Sequence, residues 1–166
     1  MNQAETITGL SLSQWEVIKP SDPSQYCDGD AIIEAYFKGK ADGLAQQDKL
    51  SFNQFSENFE LAQKHVIEAL NQLEKHNVTP LGAYLKFRSL FSFKAILLVK
   101  EEDFVETSFL ENYDFLRDFE RRIKTEFYTM KISFLNGVPD ALDEDLMSDN
   151  YKIKFTPVDE AEARRA

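Results

Sequence analysis

Four carboxylates, Glu101, Glu102, Asp103 and Glu106, crowd into six residues directly after the apolar run Ala95 to Val99. Hard oxygen donors at that density can hold Mg²⁺, which binds through a few carboxylates and keeps several of its waters. The stretch falls at the carboxyl end of an expected strand, where ligands of open α/β sheets sit. A solvated loop ahead of a helix accounts for the same residues, because carboxylates favour the positive helix N-terminus. They stand as metal candidates only, and no metal is assigned. Asp140, Asp143, Glu144, Asp145 and Asp149 make a second acidic stretch, without the central glycine and closing glutamate of a calcium loop. It reads as exposed helix and turn. His65 and Glu68 stand three apart, as two ligands on one helix face would, but a bundle metal site needs a second such pair. His76 falls at the end of the same helix, where the dipole favours a charged imidazole. Cys27 is the one cysteine, which excludes an intrachain disulfide and a multi-cysteine metal site. No serine has nucleophile-elbow glycines beside it, and Gly39 and Gly43 lack the context of a phosphate loop. The sequence therefore assigns no catalytic residue and no cofactor.

The elements that must position these residues are clearer. Phe52, Phe55, Phe59, Ala62, Val66, Ala69 and Leu73 recur at steps of three and four, the spacing of one helix stripe. Ile67 and Leu70 widen it, which suits a bundle or a sheet face better than a two-stranded coil. Asn77, Pro80 and Gly82 end this helix, expected over 52–76. Ahead of it a bent helix over about 30–50 is expected, capped by Asp28 or Asp30 and weakened by Gly39 and Gly43. From Gly82 the period becomes alternating. Ala83, Leu85 and Phe87 against Tyr84, Lys86 and Arg88 predict a half-exposed strand. Phe91 to Val99 predicts a central strand covered on both faces, joined to the first by a hairpin at Ser89-Leu90.

Residues 100–107 read as a polar loop, and Ser108 with Glu111 as a capping box opening a helix. Phe109, Tyr113, Leu116, Phe119 and Ile123 form that helix's apolar face, and Arg121, Arg122 and Lys124 close it against the dipole. Tyr128 to Phe134 is a further strand, so the helix makes a crossover. One or two helical turns over Asp140 to Met147 and an edge strand at Tyr151 to Phe155, its lysines discouraging pairing, complete the pattern. The expected fold is α+β, with an N-terminal arm and helices packed on a small mixed sheet of three to four strands around a ββαβ-like core. Residues 1–27 form the irregular arm, with a short strand at Trp15 to Ile18 anchored by the only tryptophan. Residues 28–156 form one domain, and 157–166 a flexible tail.

The order helix, strand, turn, strand ending in Ile96-Leu97-Leu98-Val99, helix and strand over 53–135 resembles the minimal nucleotidyltransferase core. Active members of that family carry a Gly-Ser near the first strand and two carboxylates, one residue apart, at the start of the second. Here Phe93-Lys94-Ala95-Ile96 has neither carboxylate, and Lys131 and Ser133 stand where a third is expected. The resemblance implies a degenerate, noncatalytic relative, since without those oxygens no pair of metal ions clamps the reacting phosphates.

Leu, Ile, Val and Phe fill 47 of the 166 positions, enough to fold around a core that 14 phenylalanines make rich in rings. The net charge of −10 argues against nucleic acid and anionic membranes as partners. No apolar window reaches the length a bilayer needs and no leader pattern opens the chain, so a cytoplasmic location is expected. The leading expectation is a non-enzymatic interaction or assembly module, with a protein partner or a homodimer through helical surface. The alternatives are a metal-assisted phosphoryl-transfer or nucleotidyltransferase-like protein using the 101–106 loop, and an acidic decoy for a nucleic-acid-binding protein.

Overall fold

The computed structural model describes residues 14–19 and 46–158, and side chains within them except those of 46–52. The expectations for Cys27, for the caps at Asp28 or Asp30, for helix over 30–45 and for the tail beyond 158 fall outside the described residues. Trp15–Ile18 form strand β1, as their sequence predicts. Helix α1 then runs unbroken from Gln46 to Lys75. It passes through residues 50–52, where the sequence divides one helix from the next, because no glycine or proline interrupts 46–75. Strands β2 (Pro80–Phe87) and β3 (Ser92–Val99) make the expected antiparallel hairpin. Residues 100–107 are not the uniform loop expected, since Glu101–Phe104 form a helical turn, α2, and Thr107–Phe109 a 3₁₀ turn. Helix α3 (Leu110–Ile123) follows with no side-chain cap, so the Ser108-Glu111 capping box does not form: Ser108 is already inside the 3₁₀ turn. Strand β4 (Thr129–Asn136), helix α4 (Pro139–Ser148) and strand β5 (Ile153–Pro157) complete the described chain.

These elements make an α+β fold on one five-stranded mixed sheet of order β1-β5-β2-β3-β4, with only β3 and β4 parallel. A parallel pair cannot be joined by a tight turn, and α2 with α3 supplies the crossover. Strand β5 is interior, not the edge strand its lysines suggest. It pairs with β1 on one side and β2 on the other, which also makes the sheet one strand larger than expected. Its Lys154 answers a carboxylate on α4 rather than guarding an edge, with Nζ 2.9 Å from Asp143 Oδ1. At the β4 edge, Glu120 of α3 accepts the Ile132 N–H at 2.8 Å and pairs with Lys131 at 2.9 Å, occupying backbone that could recruit a foreign strand.

The sheet has two unequal faces. One row of register partners, Val17, Phe155, Ala83, Leu97 and Phe134, crosses all five strands on the face that meets α1 and α3. There Phe55, Ala62, Val66, Ala69 and Leu73 are buried, as the seam requires, with Phe59 half-buried beside them and the rings of Phe55, Phe59, Phe87 and Phe93 mutually packed. Truncating an interior residue such as Leu70 to Ala costs about 2–5 kcal/mol. On the opposite face Leu146 of α4 packs in one buried cluster with Tyr84, Leu98 and Tyr151. Strand β2 is thereby buried on both sides rather than half-exposed, and the Tyr84 hydroxyl donates to Asp143 at 2.8 Å. Among the described residues no helix is long and apolar enough to cross a membrane.

Candidate functional site: two clefts flanking an acidic turn

Helix α1 ends in a way its sequence specifies. Asn77 adopts a left-handed conformation, φ 60°, which asparagine tolerates better than most residues. Its N–H bonds the Glu74 carbonyl and the Val78 N–H bonds the Leu73 carbonyl, at 3.1 and 3.0 Å. This Schellman closure satisfies the last turn's carbonyls and buries Val78 over the helix end. It leaves His76 as the last residue before the chain turns, facing α3, where its Nδ1 donates to Asn112 Oδ1 at 2.9 Å. Asn112 is only 3% exposed. It occupies the stripe Phe109, Asn112, Leu116, Phe119, Ile123, whose steps are three, four, three and four. Tyr113, read from the sequence as part of the apolar face, is instead 40% exposed. The seam position next to it holds a polar amide because α1 presents an imidazole there.

Around this pair lies a cleft of about 350 Å³, lined by His76, Asn77 and Val78 from the end of α1 and by Asp103, Glu106, Ser108, Phe109, Glu111 and Asn112 from the segment after β3. A second cleft, of about 630 Å³ and more apolar, is lined by Leu81, Lys100, Glu101, Glu102, Val105, Gly137 and Val138. Gly137 makes its wall possible. Its φ of 148° suits glycine, and a Cβ there would stand 2.7 Å from Leu142 of α4.

The four carboxylates flagged by the sequence are therefore divided. Glu101 and Glu102 face one cleft, Asp103 and Glu106 the other. Among the described residues no group of three or more histidines, cysteines or carboxylates is placed to hold a metal ion. His65 and Glu68 do not converge on a ligand either. Glu68 pairs with Arg122 at 2.9 Å, while His65 Nδ1 and the Tyr128 hydroxyl share a hydrogen bond at 2.9 Å, the imidazole edge-on to Phe119. Burial, followed by the nearby charges of Arg122 and Lys64, pulls the His65 imidazole down to about 4. The ring is neutral at physiological pH. In the second acidic stretch Asp143 is held below the usual carboxylate range, first by its bond from Lys154 and then by that from Tyr84. It fastens α4 to the sheet. Where the nucleotidyltransferase resemblance expects carboxylates, Lys94 is the register partner of both Lys86 and Lys131, so three cations cross the strands in line.

Sequence reasoning did not find the buried amides or the exposed aliphatics. Asn58, also 3% exposed, donates through Nδ2 to the Leu90 and Phe127 carbonyls at 3.1 and 2.7 Å and accepts from Gln54 at 3.0 Å. Val105 and Val138 are 72% and 60% exposed. A polar residue at a seam position is a readable signal for Asn112. Nothing local marks the valines, because their meeting depends on how β4 returns beside β3. No protein family, curated protein or solved structure matches this chain.

Proposed function

We propose that this chain is a non-enzymatic interaction module that docks a partner protein in the larger cleft at the carboxyl ends of β3 and β4. The observation that carries this reading is the meeting of Val105 and Val138, both largely exposed, with Leu81 across one concave surface. Exposed aliphatics scattered singly are ordinary, but apolar side chains gathered in a concavity and rimmed by charge mark interaction sites. Glu101 and Glu102 on the rim, in a chain of net charge −10, fit a partner segment with an aliphatic anchor flanked by lysine or arginine. The rim charges steer such a segment and the valines hold it.

Selection of peptides from a random display library on the immobilised protein tests this. Enrichment of aliphatic residues flanked by basic ones is expected, with binding lost in the doubly substituted Val105→Glu, Val138→Glu protein while its circular dichroism is unchanged. Failure to enrich any such motif, or enrichment that both substitutions leave intact, rules out the cleft as the docking surface. Light scattering on the purified protein decides whether a second copy is the occupant: a dimer broken by the same substitutions replaces the foreign partner with this chain itself.

A further inference from the structure

The face of the sheet that carries α4 is covered only in part. Leu98 and Leu135, toward the carboxyl ends of β3 and β4, pack with Leu142, Leu146 and Met147 of α4, while Lys131 and Ser133 of β4 stand exposed. Parallel strands are as a rule covered on both faces, so a parallel pair with one side open has room for another layer. The side chains there are of one charge. Strands β2 to β5 hold four lysines, Lys86, Lys94, Lys131 and Lys154, and no aspartate or glutamate. All four point away from α1, because each stands between two residues of the α1-facing core. In a chain of net charge −10 the bases are thus gathered on the one face that its helices leave open.

Lys86, Lys94 and Lys131 are direct register partners, a row of ammonium groups across about 10 Å of sheet. Like charges placed opposite one another weaken a sheet, so the row costs the fold something that its packing does not repay. The outer two are each drawn aside. Lys131 reaches Glu120 at 2.9 Å, and Lys86 reaches the Asp149 carbonyl at 3.2 Å and lies 4.4 Å from the centre of the Tyr151 ring. Lys94, half-buried between them, has no ion-pair or hydrogen-bond partner among the described residues. The neighbouring rows on this face add the hydroxyls of Ser92, Thr129 and Ser133.

An open cationic surface fits carboxylates carried by another macromolecule better than a small anion, which needs enclosure. The net charge of −10 repels a long polyanion such as nucleic acid, whereas a short acidic stretch brings its carboxylates to the lysines alone. We propose that the open half of this face docks an aspartate- or glutamate-rich segment of a partner protein, with Lys94 at the centre of the contact and Lys86 and Lys131 on either side. These lysines do not line the larger cleft, so this assignment and the docking of a basic segment there stand or fall separately.

Anisotropy titrations of the full chain with fluorescein-labelled octaglutamate, octaglutamine and single-stranded oligothymidylate, together with ¹H–¹⁵N correlation spectra, test the assignment. Saturable binding of octaglutamate is expected, weakening steeply as salt is raised, and none of octaglutamine. The largest spectral shifts should fall at 92–96 and 129–133, away from 101–106 and 137–138. Lys94→Gln should weaken octaglutamate by about tenfold or more, and Lys94→Arg should keep most of the affinity. Because Lys94→Gln relaxes a row of like charges, it should not lower the melting temperature, which separates lost binding from lost folding. No saturable binding of octaglutamate at millimolar concentration, binding that Lys94→Gln leaves unchanged, or shifts confined to other segments overturns the proposal. Oligothymidylate binding more tightly than octaglutamate at physiological salt overturns it as well and assigns the face to nucleic acid.

Discussion

Asn58 and Asn112 are buried to the same degree and sit at opposite ends of the sheet, yet their amides are used differently. At the end where β3 and β4 begin, Asn58 ties helix α1 to two loops at once, giving both N–H groups to carbonyls at Leu90 and Phe127 and taking one bond from Gln54. At the end where β3 finishes, Asn112 has one partner, His76, and opens onto a cavity. Equal burial therefore does not mean equal role. A buried amide whose donors all go to backbone carbonyls ties several segments together, and one whose remaining donor reaches solvent ties only two.

Substitution at the closed end is expected to have the largest effect. Asn58→Ala orphans two carbonyls and should lower stability by about 3 kcal/mol, seen in urea unfolding as a lower midpoint at unchanged slope. A loss under about 1 kcal/mol would erase the distinction between the two ends. His65, between them on α1, gives the next effect. Its imidazole is neutral in the fold down to about 4, while in the unfolded chain it takes a proton near 6.5. Protons therefore favour unfolding: the stability is complete above about pH 6.5 and is lost as pH falls toward 4. Solvent still reaching the ring limits the loss to about 1–2 kcal/mol, and His65→Gln should remove that part of the pH profile. At the open end, Asn112→Ala gives up one bond and should cost only about 1 kcal/mol, so comparing it with Asn58→Ala by the same urea method tests the contrast directly. Smallest of all is the exposed Arg122–Glu68 pair. Arg122→Gln should change stability by no more than about 0.5 kcal/mol, and a larger change in thermal melting would mean that this pair helps to seat α3.

Much of the closed end was legible from residue spacing. The Phe55 to Leu73 seam, the β2–β3 hairpin and the crossover to β4 follow from periods of 3.6 and 2, which local sequence carries whatever the chain does elsewhere. The end of α1 was legible too, for Asn77 takes the left-handed position that closes it, as Asn150, unmarked in the sequence reading, does for α4. Beyond the stop of α1 at Asn77, the open end showed in the sequence reading as an excess of carboxylates. That Glu101 and Glu102 face one cleft and Asp103 and Glu106 another follows from a four-residue helical turn too short to announce itself in sequence.

The order of side chains along this chain determined which faces are apolar, where the helices stop and that the charge is strongly negative, since these depend on neighbours within a few positions. Which segments meet was decided only by the assembled sheet. Strand β1 pairs with β5 from about 140 residues away and turns an expected edge into an interior strand, and His76 finds Asn112 across two helices. Contacts between residues so far apart are set by the packing of whole elements, and no short window of sequence contains both partners.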